Sequence, residues 1–359
     1  MVNKVLLSCN NDRRTPNEPK AQWMEGKYGI MVHWLAPGPP PQFGEYKSDL
    51  NEAIDDFDVE GFMKDFDRTG ADWLIFTIGQ NTGYYASPNS VIDSLAGPGH
   101  TPERDLVLEI ARAVKRRGKK FIAYLPCEVN ANTPMHEGFA WNTEPGTDQA
   151  EFQARYLRAV REWALRFGDN LDGWWIDGSY YWDIFHNKYM RWEQWYDALR
   201  AGNPASVLTF NDGSYLQKKI VPIMPEHDYL PGECFVLVNS EIRLGWDPEG
   251  AQYYMPQSAY VDSTNCLNHA LLPIDAHWAH GSKYPDEKYF PFDIEKPARQ
   301  DMMEHPIFED KQLFKFVKDF TDVGGAVTLN VGAFQEGRLG EETLQQLDRM
   351  QKYMKEIRE

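Results

Sequence analysis

The sequence is poor in the features that mark disulfide-bonded, membrane or nucleic-acid-binding proteins. Four cysteines in 359 residues, Cys9, Cys127, Cys234 and Cys266, show neither CxxC spacing nor the density of a disulfide scaffold. They suggest a reducing compartment. No apolar run approaches the ~20 residues of a membrane span, so no membrane partner is expected. The opening MVNKVLLSCNNDRR carries too short an apolar run for the ~7–15-residue core of a secretion signal. The expected location is the cytoplasm; a secreted or periplasmic protein would require that a leader had been removed. Positive charge is scarce as well. With 37 Lys and Arg against 54 Asp and Glu the net charge is −17, which repels polyanions and makes nucleic acid an unexpected partner. The one dense basic run, Lys115, Arg116, Arg117, Lys119 and Lys120, falls at a predicted helix end, where cations complement the dipole. Nine histidines include no HExxH; His277 and His280 in HWAH could share a helical face, but no metal and no cofactor is expected.

What is present is a repeating unit. Val59, Phe62, Met63 and Phe66 recur at helical spacing, Gly70 ends that helix, and the apolar run WLIFTI follows. Thr101 and Pro102 open a second helix with Leu106, Ile110 and Val114, Gly118 closes it, and KFIAYLP reads as a strand. Phe152, Tyr156, Trp163 and Phe167 form a third helix, then Gly168, then DGWWIDG at 172–178. Three successive helix–Gly–strand units imply a parallel sheet built by right-handed crossovers. KYGIMVHW at 27–34 reads as the first strand, SVLTFND at 206–212 as the fifth after a helix near 187–201, and GAVTLNVG at 325–332 as the last. Between 228 and 310 the pattern weakens, with one strand near CLNHALLPID. The expected fold is a TIM-like (β/α)8 barrel with irregular or missing helices in its second half, forming one domain over 1–359. The Pro-rich PGPPPQFG at 37–44 reads as a rigid loop over the barrel mouth.

Polar or Gly-containing chemistry follows each strand: His33 and Trp34, Gln80 and Asn81, Glu128, Asp177, Asn211 and Asp212, Glu233, Asp275, and Asn330. In such a barrel the carboxyl ends of the strands carry the chemistry. Asp177 ends a strand buried on both faces, and Gly178 then lets the chain turn. Aromatic residues make up 14% of the chain, and Trp34, Tyr84, Tyr85, Trp182, Tyr229 and Trp278 fall beside strand ends. Flat rings with polar edges suit sugars, and acidic residues beside them suit glycoside chemistry, which needs two carboxyl groups across the scissile bond. Asp177 and Glu233, the latter after a Pro-Gly bend in HDYLPGECF, are the preferred pair, with Glu45 and Glu128 as competing acids.

On these residues the sequence resembles glycoside hydrolase family 29, the alpha-L-fucosidases. GKYGIMVHW is similar to the family's KFGIFIHWG strand, GEY at 44–46 to its EW element, DGWWIDG to its nucleophile strand, and GAVTLNVGAFQEGRLGEETLQQL to its GNLLLNVGPxxDGxIPxEQ ending. HDYLPGE has the form of its D-F/Y-x-T-x-E segment. The resemblance implies Asp177 as nucleophile and Glu233 as acid/base of a retaining, exo-acting hydrolase that removes a terminal alpha-L-fucose or related sugar. His33, Trp34, Glu45, Tyr46, Gln80, Asn81, Tyr84 and Trp278 would line the sugar subsite. The expected partner is therefore an oligosaccharide or glycoside.

Three departures accompany the resemblance. GQNTGY puts Gln80 and Asn81 where the family has the His-His pair of KHHDGF, so two amides replace two imidazoles. Asn211-Asp212 is followed by Gly213 where some members have arginine. The chain ends on a helix where members continue into a β-sandwich, so no such domain is expected, and local loops or another subunit of a homo-oligomer would close the pocket. A glycosidase for a different sugar, a carbohydrate-binding barrel without activity, and a lyase or isomerase are the alternatives.

Overall fold

The apolar runs that punctuate the sequence become the strands of one sheet. The computed structural model describes residues 19–80, 82–180, 184–213, 227–238, 241–244, 255–261, 264–275, 278 and 302–356. Its strands are β1 (Tyr28–Val32), β2 (Trp73–Thr77), β3 (Lys120–Pro126), β4 (Gly173–Asp177), β5 (Val207–Phe210), β6 (Cys234–Val238), β7 (Glu241–Leu244), β8 (His269–Pro273) and β9 (Ala326–Asn330). Seven of these form a curled parallel sheet in the order β5-β4-β3-β2-β1-β9-β8, and β6 and β7 pair as an antiparallel hairpin. The helices are α1 (Leu50–Asp55), α2 (Val59–Thr69), α3 (Ser90–Ala96), α4 (Leu106–Arg116), α5 (Thr133–Phe139), α6 (Ala150–Phe167), α7 (Trp192–Leu199), α8 (Asp310–Asp322) and α9 (Glu341–Glu356). Among the described residues no helix lies between β5 and β8. The fold is α/β and TIM-barrel-like.

Between the edge strands β5 and β8 runs the segment 227–233. Asp228 N donates to Leu208 O of β5 at 2.9 Å, while Leu230 N donates to Leu267 O at 3.0 Å and Leu271 N to Gly232 O at 2.7 Å. Pairing here is limited to isolated parallel bridges, Tyr229 with Leu267 and Glu233 with Leu271. The extended pairing at Asp228-Tyr229-Leu230 does not continue, because Pro231 has no N–H to add to a ladder and Gly232 turns the chain at φ +73.

Strand alternation divides the core in two. Inward residues Met31, Trp73, Ile75, Ile122, Tyr124, Trp175, Val207 and Leu271 form one cluster, closed at the strands' amino ends by Ala21 and Met24 of a short 3-10 helix. Outward residues such as Ile30, Leu74, Trp174 and Leu208 pack against the helices with Phe62, Ile110, Tyr156 and Trp163. Gly29 faces inward, and a Cβ there would lie 2.2 Å from the Trp73 indole nitrogen. That nitrogen donates to Thr328 Oγ1 at 3.0 Å, which fixes the ring. Gly29→Ala is therefore expected to cost about 1–3 kcal/mol of stability through overpacking, as read by urea unfolding. An unchanged midpoint would mean that the indole yields.

Two boundaries differ from the sequence reading. The helix expected to open at Thr101 and Pro102 starts at Leu106, because Asp105 caps it by accepting from Leu108 N at 3.1 Å. The helix near 187–201 is shorter, a 3-10 turn at Asn187–Tyr189 followed by α7. The basic run ends α4 as expected, and its charges find acids. Lys115 and Lys120 both meet Asp172, at 3.0 and 2.9 Å, and Arg117 meets Asp67 at 2.9 Å. Asp172, the first carboxylate of DGWWIDG, is thus a buried anchor that also accepts from Phe121 N. Asp275 is another, accepting from Gly332 N and Thr343 Oγ1, both at 2.8 Å.

Candidate active site

The same alternation that buries Trp175 points Asp177 into the barrel mouth, two residues later on the same face. Asp177 is met there by four neutral donors. Its Oδ1 accepts from Tyr180 Oη at 3.0 Å and Asn211 Nδ2 at 2.9 Å. Its Oδ2 accepts from Gln80 Nε2 at 3.2 Å and from the Tyr124 hydroxyl, which itself accepts from Gln80 Nε2. Tyr124 lies flat on Trp175, with ring centroids 5.2 Å apart.

Glu233 arrives from the irregular segment. Gly232 makes this possible, because a Cβ at that position would lie 2.0 Å from His269 O. His269 pins the segment: Nδ1 is 2.8 Å from Leu230 O and Nε2 is 2.7 Å from Thr328 Oγ1. Burial lowers the His269 pKa to about 4, so the ring is neutral, donating through Nδ1 and accepting through Nε2.

One side chain joins the two acids. Asn211 Nδ2 donates to Asp177 Oδ1 and to Glu233 Oε1, each at 2.9 Å. An amide nitrogen has two hydrogens, one for each acceptor. The two carboxylate oxygens can therefore be separated by no more than twice 2.9 Å. Burial first, and then the charge of Asp177, push the Glu233 carboxyl well above its ordinary range. Asp212 adds to this, and the Asn211 bond works against it. The arrangement sets a hydrogen-bonded carboxylate beside a buried carboxyl group whose surroundings favour its protonated form.

His33 continues this polar layer from β1. Its Nδ1 is 2.7 Å from Asn330 Oδ1, and Asn330 Nδ2 donates to Trp278 O at 3.2 Å. The amide orientation puts the proton on His33 Nδ1 and leaves Nε2 as an acceptor. Burial lowers the His33 pKa, against the Asn330 bond and the Asp177 charge, which raise it. The ring packs 4.7 Å from Tyr124 and 5.4 Å from Trp278, centroid to centroid.

The structure thus gathers Asp177, Glu233, Gln80, His33 and Trp278. It corrects the placement of Trp34, which alternation turns outward from His33. Trp34 is fully buried against Phe57, with its indole N–H donating to Gln335 O at 2.9 Å. Tyr85 and Tyr229 are likewise core residues. Glu45 and Tyr46 are exposed on the loop after β1, where the Tyr46 hydroxyl reaches Gly38 O at 3.4 Å. Tyr84 is half-exposed and stacks on His100. Of the competing acids, Glu45 is at the surface and Glu128 is buried beside Gly178; Glu233 is the one bridged to Asp177. Asn81, Trp182, His277 and His280 lie outside the described residues. The sequence reading missed Tyr124 and Tyr180 and gave Asn211 no role in the site. A hydroxyl inside the otherwise apolar run FIAYLP was the available signal for Tyr124.

Solved structures of similar fold include two endo-fucoidan hydrolases of glycoside hydrolase family 107. The first has a TM-score of 0.66 and 17% identity, covering 96% of this chain and 55% of that one. The second has a TM-score of 0.65 and 19% identity, covering 94% and 93%. Alpha-L-fucosidase isoenzyme 1 from Paenibacillus thiaminolyticus is similar at a TM-score of 0.60 and 17% identity, covering 94% and 75%. The chain therefore spans little more than half the length of the first of these. No curated protein sequence matches it. The model of the alpha-L-fucosidase family matches residues 38–229, more than half of the sequence, including Asp177 and stopping just short of Glu233. On that match the chain belongs to the alpha-L-fucosidase family of glycoside hydrolases.

Proposed function

We propose that this protein is a retaining, exo-acting hydrolase of glycosides that end in alpha-L-fucose or a related sugar, with Asp177 as nucleophile and Glu233 as acid/base. The observation that carries the reading is the single amide of Asn211 bridging both carboxyl groups at 2.9 Å. Retaining enzymes hold their two carboxyl groups ~5–5.5 Å apart, whereas inverting ones leave ~6.5–9.5 Å for a water. An amide spanning both acids favours the shorter spacing.

In the first step Glu233 gives its proton to the leaving oxygen as the C1–O bond breaks and an Asp177 oxygen bonds to C1. Esterification removes the negative charge that kept Glu233 protonated, so its carboxyl becomes a better acid and then, ionised, a base. It takes a proton from water, which attacks C1 and frees Asp177. His33 Nε2 would accept from a sugar hydroxyl, with Trp278 beside it. The segment 227–233, bonded to β5 and β8, serves in this reading as the eighth wall of the barrel.

Hydrolysis of a panel of aryl glycosides, including alpha-L-fucoside, alpha-L-galactoside and pentosides, tests the function. The expected first product, seen by proton NMR, is the alpha anomer of the sugar. Initial release of the beta anomer would reject retention, and saturable binding without cleavage would make the protein a sugar-binding barrel. The bonding of Gln80 to Asp177 favours one second reading, hydrolysis of a sugar other than fucose, which the same panel identifies.

Asn211→Ala is expected to lower kcat/KM by about 10–100-fold, the scale of hydrogen bonds to charged groups. Because the lost bond holds the Glu233 pKa down, the alkaline limb of the pH profile should move to higher pH. A profile that keeps its shape would assign Asn211 no influence on the acid.

A further inference from the structure

Gln80 stands where the resemblance places an imidazole for the sugar, but its amide nitrogen is committed elsewhere. Nε2 donates to Asp177 Oδ2 at 3.2 Å and to the Tyr124 hydroxyl, and that hydroxyl donates to the same Oδ2. The three groups close a small ring of hydrogen bonds around one carboxylate oxygen. An imidazole could not copy this, since each of its nitrogens carries at most one hydrogen, whereas the amide directs two from a single atom. Tyr124 is itself fixed by stacking on Trp175 and by the edge of His33. On the opposite side, Tyr180 and Asn211 hold Oδ1.

From these contacts we infer that Gln80 is a positioning residue for Asp177, holding Oδ2 with Tyr124, and that its amide nitrogen is not a ligand for the sugar. The inference rests on the reading of Asp177 as nucleophile. A carboxylate with two acceptor oxygens and a rotatable Cβ–Cγ bond needs donors on both sides to stay aimed at C1. Neutral donors accomplish this without cancelling the charge that helps raise the Glu233 pKa.

Two variants test it on the aryl glycoside that the wild type cleaves best. In Gln80→Ala, kcat should fall roughly 10–100-fold while KM and the inhibition constant of the free sugar stay within about twofold, because a nucleophile-holding bond is lost and no ground-state sugar contact is. Gln80→Glu keeps the shape but sets a carboxyl against Asp177. It should be less active than Gln80→Ala at neutral pH and recover relative to wild type as the pH falls, when the introduced carboxyl is protonated and can donate. Among the described residues, the titratable groups that act on Asp177 or share its field are Tyr124, Tyr180, His33 and Glu233, with Asp212 acting on Glu233.

A raised KM and inhibition constant with kcat preserved in Gln80→Ala would overturn the inference and make Gln80 a sugar ligand. So would Gln80→Glu matching or exceeding Gln80→Ala at neutral pH. If the alanine variant fails to fold, the pH dependence of the near-isosteric Gln80→Glu decides the question: recovery relative to wild type as the pH falls supports the inference, and a constant ratio to wild type overturns it. Failure of the nucleophile assignment would show separately, as turnover retained in Asp177→Ala.

Discussion

Asp177→Ala should lose turnover by on the order of 10⁴-fold or more, with the fold and sugar affinity retained. Among the described residues, neither Glu233 nor Glu128 is placed to take over its role. Burial and the Asp177 charge both push the Glu233 carboxyl toward its protonated form, and Glu128 lies beside Gly178. The truncation leaves a small space lined by the hydrogen-bond donors of Gln80, Tyr124, Tyr180 and Asn211. Azide fits such a space and is expected to attack C1 from the side that Asp177 used, releasing a glycosyl azide of inverted configuration. Activity near the wild-type level would reject the nucleophile, and an azide product of retained configuration would assign Asp177 the acid/base role instead.

Glu233 should behave in the complementary way. Glu233→Gln is expected to lower kcat/KM by about 10²–10⁴-fold for glycosides with poor leaving groups, and much less for activated aryl glycosides that need no proton. Its alkaline limb should disappear, since that limb reports loss of the Glu233 proton. Stability should move in the opposite direction. A carboxyl whose pKa is raised by folding stabilises the protein below its unfolded value and loses that contribution as the pH climbs toward its folded value. The neutral amide escapes this loss, so Glu233→Gln should melt higher than wild type at neutral pH and converge with it in acid. An unchanged pH profile, or a variant that melts lower across the whole range, would show that Glu233 is not the buried protonated acid. In Glu233→Ala, azide should intercept the glycosyl intermediate and give the retained product, the opposite of the outcome at Asp177.

The strands were legible because apolar runs bounded by glycine cannot be exposed, and the carboxylate of DGWWIDG was legible as the residue that ends such a run just before a glycine. Alternation was left unused at Trp34. Adjacency to His33 suggested the mouth, whereas neighbouring strand residues face opposite ways, and Trp34 packs on Phe57 instead. Glu233 could be picked from its Pro-Gly bend, but not how it is held. That depends on His269 pinning Leu230 O and on the close approach of Gly232 to β8, contacts between residues almost 40 positions apart. Gln80 illustrates a different limit. Its residue type was visible as an amide in place of imidazole, while its partners were not, since a hydroxyl in a buried strand does not tell which groups it will meet across the sheet.

The most direct measurement is peptide mapping after reaction with a 2-deoxy-2-fluoro glycosyl fluoride of the sugar that the enzyme prefers, in which fluorine at C2 slows hydrolysis of a covalent intermediate. The account predicts a single glycosyl adduct, attached through an ester to Asp177, that forms with loss of activity and clears as activity returns. Inactivation with the adduct on another residue, or steady turnover with no adduct on Asp177, would contradict it.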